Sequence, residues 1–155
     1  MKIAKKEEIK ELCKKYAEKY GLDWKLVYAI AQIENRNNEP LARFEPLFYE
    51  KYLSKFDISE DEKYLRACSY GLMQVMGQTA IEHGWNEPFA ELFDTEKNLD
   101  LACKIIKKLF EKYKEEELVI SAYNGGLRKK EDGYHISNRG YVEKVLRQKM
   151  MLNEA

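Results

Sequence analysis

The 155-residue sequence is 45% hydrophobic and 35% charged, which suits one compact domain over residues 1–155 with a core that needs neither disulfides nor a structural metal. Lysine plus arginine and aspartate plus glutamate both number 27, which speaks against a nucleic-acid binder and against plain electrostatic attraction to an anionic wall. Three cysteines (Cys13, Cys68, Cys103) without CxxC spacing and two histidines (His83, His135) fit neither a disulfide framework nor a zinc site, so the cysteines are expected in the core and no metal or cofactor is expected.

The first twenty residues, MKIAKKEEIKELCKKYAEKY, lack the apolar segment of a secretion signal, and no later apolar stretch is long enough to cross a bilayer. A soluble monomer without membrane insertion is expected. Ile9, Leu12, Cys13, Tyr16 and Tyr20 recur at helical spacing, Gly21 stops the helix, and the alternating lysines and glutamates form a solvated face. Asp23 suits the cap of a second helix over residues 24–35. Leu26, Val27, Ala29, Ile30, Ala31 and Ile33 make that helix apolar on nearly every side, as a helix in the middle of a core would be.

Asn37, Asn38 and Pro40 end it. Residues 45–56 read as helical and aromatic-rich, residues 57–63 as polar, and residues 79–83 as a short helix before Gly84. A longer helix spans residues 95–113, with Leu99, Ala102, Cys103, Ile106, Leu109 and Phe110 as its buried stripe. Residues 115–124 are apolar-rich and end at Gly125-Gly126. A polar, glycine-containing run leads to Asn138, and the last helix begins near Gly140 with Tyr141, Val142, Val145, Leu146 and Met150 inward. No segment alternates as a strand does, so the fold class is all-α or nearly so, with room for a short β-hairpin between residues 39 and 70.

Glu34 stands out. It follows Val27, Ile30 and Ala31 by seven, four and three residues, so the apolar stripe of the second helix ends in a carboxylate. Desolvation and the negative end of the helix dipole both favour its protonated form, which is what a general acid requires. Position alone fits a structural role equally well, with Glu34 paired to Arg36 or Arg43 at the helix end.

The neighbouring segments favour chemistry. GLDWKLVYAIAQIEN (residues 21–35) resembles the helix of soluble lytic transglycosylases that ends in the catalytic glutamate. SYGLMQVMGQTA (69–80) is similar to their GLMQ motif, DTEKNLDLACKIIKKL (94–109) to their third segment, ISAYNGG (120–126) to their AYN motif, and Tyr141-Val142 to their terminal YV element. The resemblance covers Leu22 to Leu146 in the family's order and extends to the goose-type-lysozyme-like muramidases. It implies a lysozyme-like helical domain that cuts peptidoglycan glycan strands without a cofactor, with Glu34 as acid and then base. It also implies that Met73 and Gln74 line the glycan groove, with Ser69 near the same rim. Gln74 would donate to and accept from an N-acetyl group. Tyr123 and Asn124 would lie at the inner wall, with Tyr141 as a further sugar contact, although ordinary core packing accounts for many of the 11 tyrosines.

Three departures are visible. Asn35 replaces the usual serine, Gly77 stands where proline is common, and Ala102 takes the place of a small glycine. The stretch from Glu34 to Gly71 is also long, and its RFEPLFYEKYL (43–53) is similar to segments of phage-associated or otherwise compact muramidase domains. The resembled reaction protonates the bond between N-acetylmuramic acid and N-acetylglucosamine and closes a 1,6-anhydro ring. A hydrolytic muramidase would need a second carboxylate, for which Glu39, Glu45 and Asp57 are the candidates. The other readings are a helical module without activity in a phage particle or secretion machine, and a helical domain that binds another protein. Compactness and the missing signal point to a phage or mobile-element setting, with the enzyme delivered to the wall, the periplasm or the extracellular space.

Overall fold

The computed structural model describes residues 1–154. Helices α1 (Ile9–Tyr20) and α2 (Trp24–Asn35) are followed by strand β1 (Ala42–Phe44), the short helix α3 (Pro46–Phe48), a π-helical turn over Tyr49–Leu53, and α4 (Glu60–Arg66). Strands β2 (Cys68–Tyr70) and β3 (Val75–Met76) precede α5 (Gly77–Glu82) and a 3-10 turn over Phe89–Phe93. The long helix α6 (Thr95–Tyr113), α7 (Glu116–Tyr123), strands β4 (Leu127–Lys130) and β5 (Gly133–Ile136), and α8 (Arg139–Glu154) complete the chain. The fold is mainly helical, as expected, and no helix among the described residues is long and apolar enough to cross a membrane.

Two compact units divide the residues. The first comprises Met1–Ile9 and Glu34–Ala102; the second comprises Lys10–Ile33 and the chain from Cys103 onward. In the second unit, Leu26, Val27, Ile30, Ile106, Ile120 and Val142 are at most 1% exposed. The α2 segment is apolar all round because it is buried all round. Asp23 starts the helix as expected, its Oδ1 accepting the Lys25 N–H at 2.9 Å. Cys13 and Cys103 are fully buried here, and burial, followed by the neighbouring Cys103 sulfur, pushes the Cys13 thiol far up from its ordinary value.

The first unit holds a three-stranded antiparallel sheet in the order β1-β2-β3, with Arg43 opposite Ser69 and Ser69 opposite Met76. The sequence leaves room for a short hairpin within residues 39–70. Instead β1 and β2 are brought together across the intervening α3 and α4. The expected polar run over 57–63 contains the start of α4, whose N-cap Ser59 accepts the Glu62 N–H at 3.1 Å. Ser59 and Glu62 are spaced as a capping box, but Lys63 is the helix's one buried residue, so no apolar stripe announces it. In the second unit, β4 and β5 form a hairpin within the polar, glycine-containing run before Asn138. Residues 128–130, 134 and 135 are exposed, which removes alternation, although Asp132-Gly133 carries a turn signal.

Asp94 anchors the chain's first residues to α6. Its Oδ1 accepts the Lys97 N–H at 3.0 Å and its Oδ2 accepts the Lys2 N–H at 2.9 Å, while Thr95 Oγ1 accepts from the Ala4 N–H at 2.8 Å. Partial burial works to raise the carboxyl's pKa, but the hydrogen bonds from Lys97 and Lys2 and the nearby positive charges outweigh it and hold the group below its usual value of 3.8. A depressed folded pKa gives stability that is complete above 3.8 and is lost as pH falls through the lower folded value. Asp94→Ala is expected to cost about 1 kcal/mol at neutral pH. Urea melts of both proteins test this, and the difference should narrow below about pH 4.

Candidate active site

Glu34 is the penultimate residue of α2 and is half-buried, while Val27, Ile30 and Ala31 on the same helix face are at most 1% exposed. The helix therefore ends with a carboxylate at the margin between an apolar face and water. The backbone carbonyl of Glu34 lies 3.5 Å from Nη2 of the exposed Arg43, so this cation sits near the helix's negative end.

The next residue explains how the helix stops. Asn35 is 7% exposed and its amide is bound on both sides. Nδ2 donates to the Glu39 carbonyl at 2.8 Å and to the Gly71 carbonyl at 3.1 Å, and Oδ1 accepts the Glu39 N–H at 3.1 Å. Buried Asn38, with φ of 51°, makes the turn in the left-handed region that asparagine tolerates. Its Nδ2 donates to Ala4 O and Thr95 Oγ1, both at 2.8 Å.

Residues 69–74 lie in the same unit as Glu34. Ser69 is buried in β2, between Arg43 and Met76 in register. Gly71 has φ of +73°, and a Cβ there would lie 2.6 Å from Leu92 O and 2.8 Å from Asn98 Nδ2, so both conformation and space demand glycine. Met73 is fully buried, a position that gives it packing and keeps it from solvent. This corrects its expected place in a groove lining. Gln74 has φ of 49°, and its Nε2 donates to Gly71 O at 2.9 Å and Leu41 O at 3.1 Å. Its Oε1 is buried without a hydrogen-bond partner among the described residues, and the amide braces two carbonyls where a two-way bond to an N-acetyl group was expected.

Asn98, absent from the sequence-derived site, holds this turn. It is fully buried; its Oδ1 accepts the Met73 N–H at 2.8 Å, and its Nδ2 donates to Tyr70 O at 3.0 Å and Leu92 O at 2.9 Å. Gly77 is explained by space: a Cβ would lie 2.7 Å from Leu65 O and 3.0 Å from Arg66 Cα, so proline does not fit here without displacement of backbone.

Tyr123, Asn124 and Tyr141 belong to the second unit. Tyr123 is half-buried at the end of α7, Asn124 is exposed as the helix's C-cap, and Tyr141 is half-buried in the first turn of α8. Asn138 organises the end of α7. Its Oδ1 accepts from Ser121 Oγ at 2.6 Å, and its Nδ2 donates to Asn124 Oδ1 at 3.0 Å and Ser121 O at 3.2 Å. Gly125, with φ of +79°, turns the chain, and Gly126 leaves room for Asn138, whose Cγ would lie 1.9 Å from a Cβ.

The three candidate second carboxylates are spread over the first unit. Glu39 is exposed, with its backbone pinned by Asn35; half-buried Glu45 precedes α3; Asp57 is exposed beyond the π turn.

Comparison with known proteins gives one family. The family model described as the transglycosylase SLT domain matches residues 11–140. No curated protein matches the chain. A match over most of the chain, on a mainly helical fold, shows that this protein belongs to the transglycosylase SLT domain family, whose members cleave glycosidic bonds of peptidoglycan.

Proposed function

We propose that the protein is a lytic transglycosylase that cuts the β-1,4 bond between N-acetylmuramic acid and N-acetylglucosamine, with Glu34 as its acid and base. The observation that carries this reading is a half-buried glutamate at the C-terminal end of an apolar helix, in a chain of this family. The adjoining apolar face and the helix's negative end both favour a neutral carboxyl.

Glu34 donates its proton to the glycosidic oxygen as the bond to muramyl C1 breaks, and the substrate's acetamido oxygen bonds to C1 in its place. The Glu34 carboxylate then removes the proton of the muramyl C6 hydroxyl. The C6 oxygen bonds to C1, the acetamido oxygen leaves, and a 1,6-anhydro end forms with Glu34 again protonated. One carboxyl serves both steps and no water is consumed. Resemblance assigns glycan contacts to Ser69, Tyr123, Asn124 and Tyr141.

A hydrolytic reading has Glu39 as its first residue, because Asn35 fixes both the N–H and the C=O of this exposed glutamate just beyond the acid. In either case the chain works at the wall as a monomer, reached by export or by phage delivery.

The test is incubation with purified peptidoglycan and measurement of soluble muropeptides. Release is expected. No release from several wall types by folded protein would overturn the enzyme reading and leave a structural module.

A further inference from the structure

We infer that Asn35 is a positioning residue for Glu34, an inference that rests on the role proposed for Glu34. Through a network of amide hydrogen bonds, Asn35 ties the acid-bearing end of α2 to the Gly71–Gln74 turn. Its side chain pairs with the Glu39 backbone in both directions, at 2.8 and 3.1 Å, and also reaches the Gly71 carbonyl at 3.1 Å. That carbonyl also accepts Gln74 Nε2 at 2.9 Å and the Gln74 N–H at 3.2 Å. Leu41 closes the ring of contacts: its N–H donates to Glu39 O at 2.7 Å, and its carbonyl accepts the Gly71 N–H at 3.0 Å and Gln74 Nε2 at 3.1 Å.

The geometry has two consequences. First, Asn35 spends both amide hydrogens and an acceptor, all nearly shielded from water, on segments far apart in the chain. Serine, with one hydroxyl hydrogen, can donate to only one of the two carbonyls. The exchange of serine for asparagine at this position thus brings a bridge that a hydroxyl cannot make. Second, Glu34 immediately precedes this bridge, so freedom at residue 35 becomes freedom in the direction of the Glu34 carboxyl. A displacement of about 1 Å at a reacting group can cost on the order of 100-fold in rate. Gln74 supports the same carbonyl in a left-handed conformation with its Oε1 unpaired, a strain that persists where surrounding structure imposes it.

Asn35→Ala and Asn35→Ser test the inference. Both leave the Gly71 carbonyl bonded to Gln74 and the Glu39 carbonyl bonded to Leu41, so the fold is expected to survive; thermal melts select a temperature at which every variant is fully folded. On soluble glycan fragments, kcat is expected to fall between about 10-fold and 100-fold in Asn35→Ala with KM within about twofold, and less in Asn35→Ser. Titration of the Glu34 carboxyl carbon by NMR is expected to give a different midpoint in Asn35→Ala from that of the wild type, a readout that needs no turnover. Unchanged kcat with an unchanged midpoint would overturn the inference. A wild type that cuts no peptidoglycan would defeat the functional reading, and the Glu34 titration would still decide whether Asn35 sets that group's surroundings.

Discussion

Glu34→Gln is expected to slow peptidoglycan cleavage by about 100-fold to 10,000-fold, the range that loss of a general acid or base commonly brings. The amide matches the carboxyl in size and keeps hydrogen-bonding capacity, but at neutral pH it neither gives a proton to the glycosidic oxygen nor takes one from the C6 hydroxyl. Because one group serves both steps in this mechanism, no second residue takes over the missing half. Glycan binding should persist, so kcat is expected to fall far more than KM rises. Glu34→Asp, which retains the acid but draws it back by one methylene, is expected to lie between the two. Circular dichroism and melting should be close to wild type, since the carboxyl is half-buried at a helix end. A Glu34→Gln protein with normal turnover would remove the residue from the mechanism.

The largest effect on stability is expected at Asn98. Asn98→Ala leaves the Met73 N–H and the carbonyls of Tyr70 and Leu92 without their partner at a fully buried position. Buried groups deprived of a hydrogen bond cost about 1–3 kcal/mol each, so a loss of about 3 kcal/mol or more is expected, or about 10 °C in Tm for a chain of this size. The substitution also frees the backbone beside Gly71 and Gln74, so residual activity should fall further than the folded fraction alone accounts for. Asn98→Asp offers a control with a definite sign. The carboxyl keeps the acceptor for Met73, yet it places a charge where solvent does not reach. Its folded pKa is therefore raised, the penalty is largest well above that pKa, and stability relative to wild type should recover as the pH falls and the group protonates. Urea titrations between acidic and neutral pH measure this directly.

Helix α2 and the place of Glu34 at its end were legible because both follow from local order. Twelve consecutive residues carry the apolar pattern, Asp23 opens the helix, and the carboxylate falls on the stripe itself. The motif order along the chain supplied the family. Asn98 was not legible. An asparagine in the first turn of an amphipathic helix reads as one more solvated residue, and its purpose depends on Tyr70, Met73 and Leu92, two of them more than twenty positions away. Gln74 shows the same limit from the opposite direction. Its amide suits a sugar by chemistry, but its backbone angle, the nearby Gly71 carbonyl and the distant Leu41 carbonyl turn it inward. The β4–β5 hairpin lacked an alternating pattern because most of its residues face water, and α4 lacked a stripe because it buries little more than Lys63.

The chemistry of the ends left by cleavage tests the central claim most directly. Muropeptides released by the wild-type protein are identified by mass spectrometry before and after borohydride reduction. Single-carboxyl catalysis by Glu34 predicts muramyl ends one water lighter than hydrolytic products and unchanged by borohydride. Reducing ends that take up hydride would contradict it: water would then be the nucleophile, and a second group such as Glu39 would be needed to activate it.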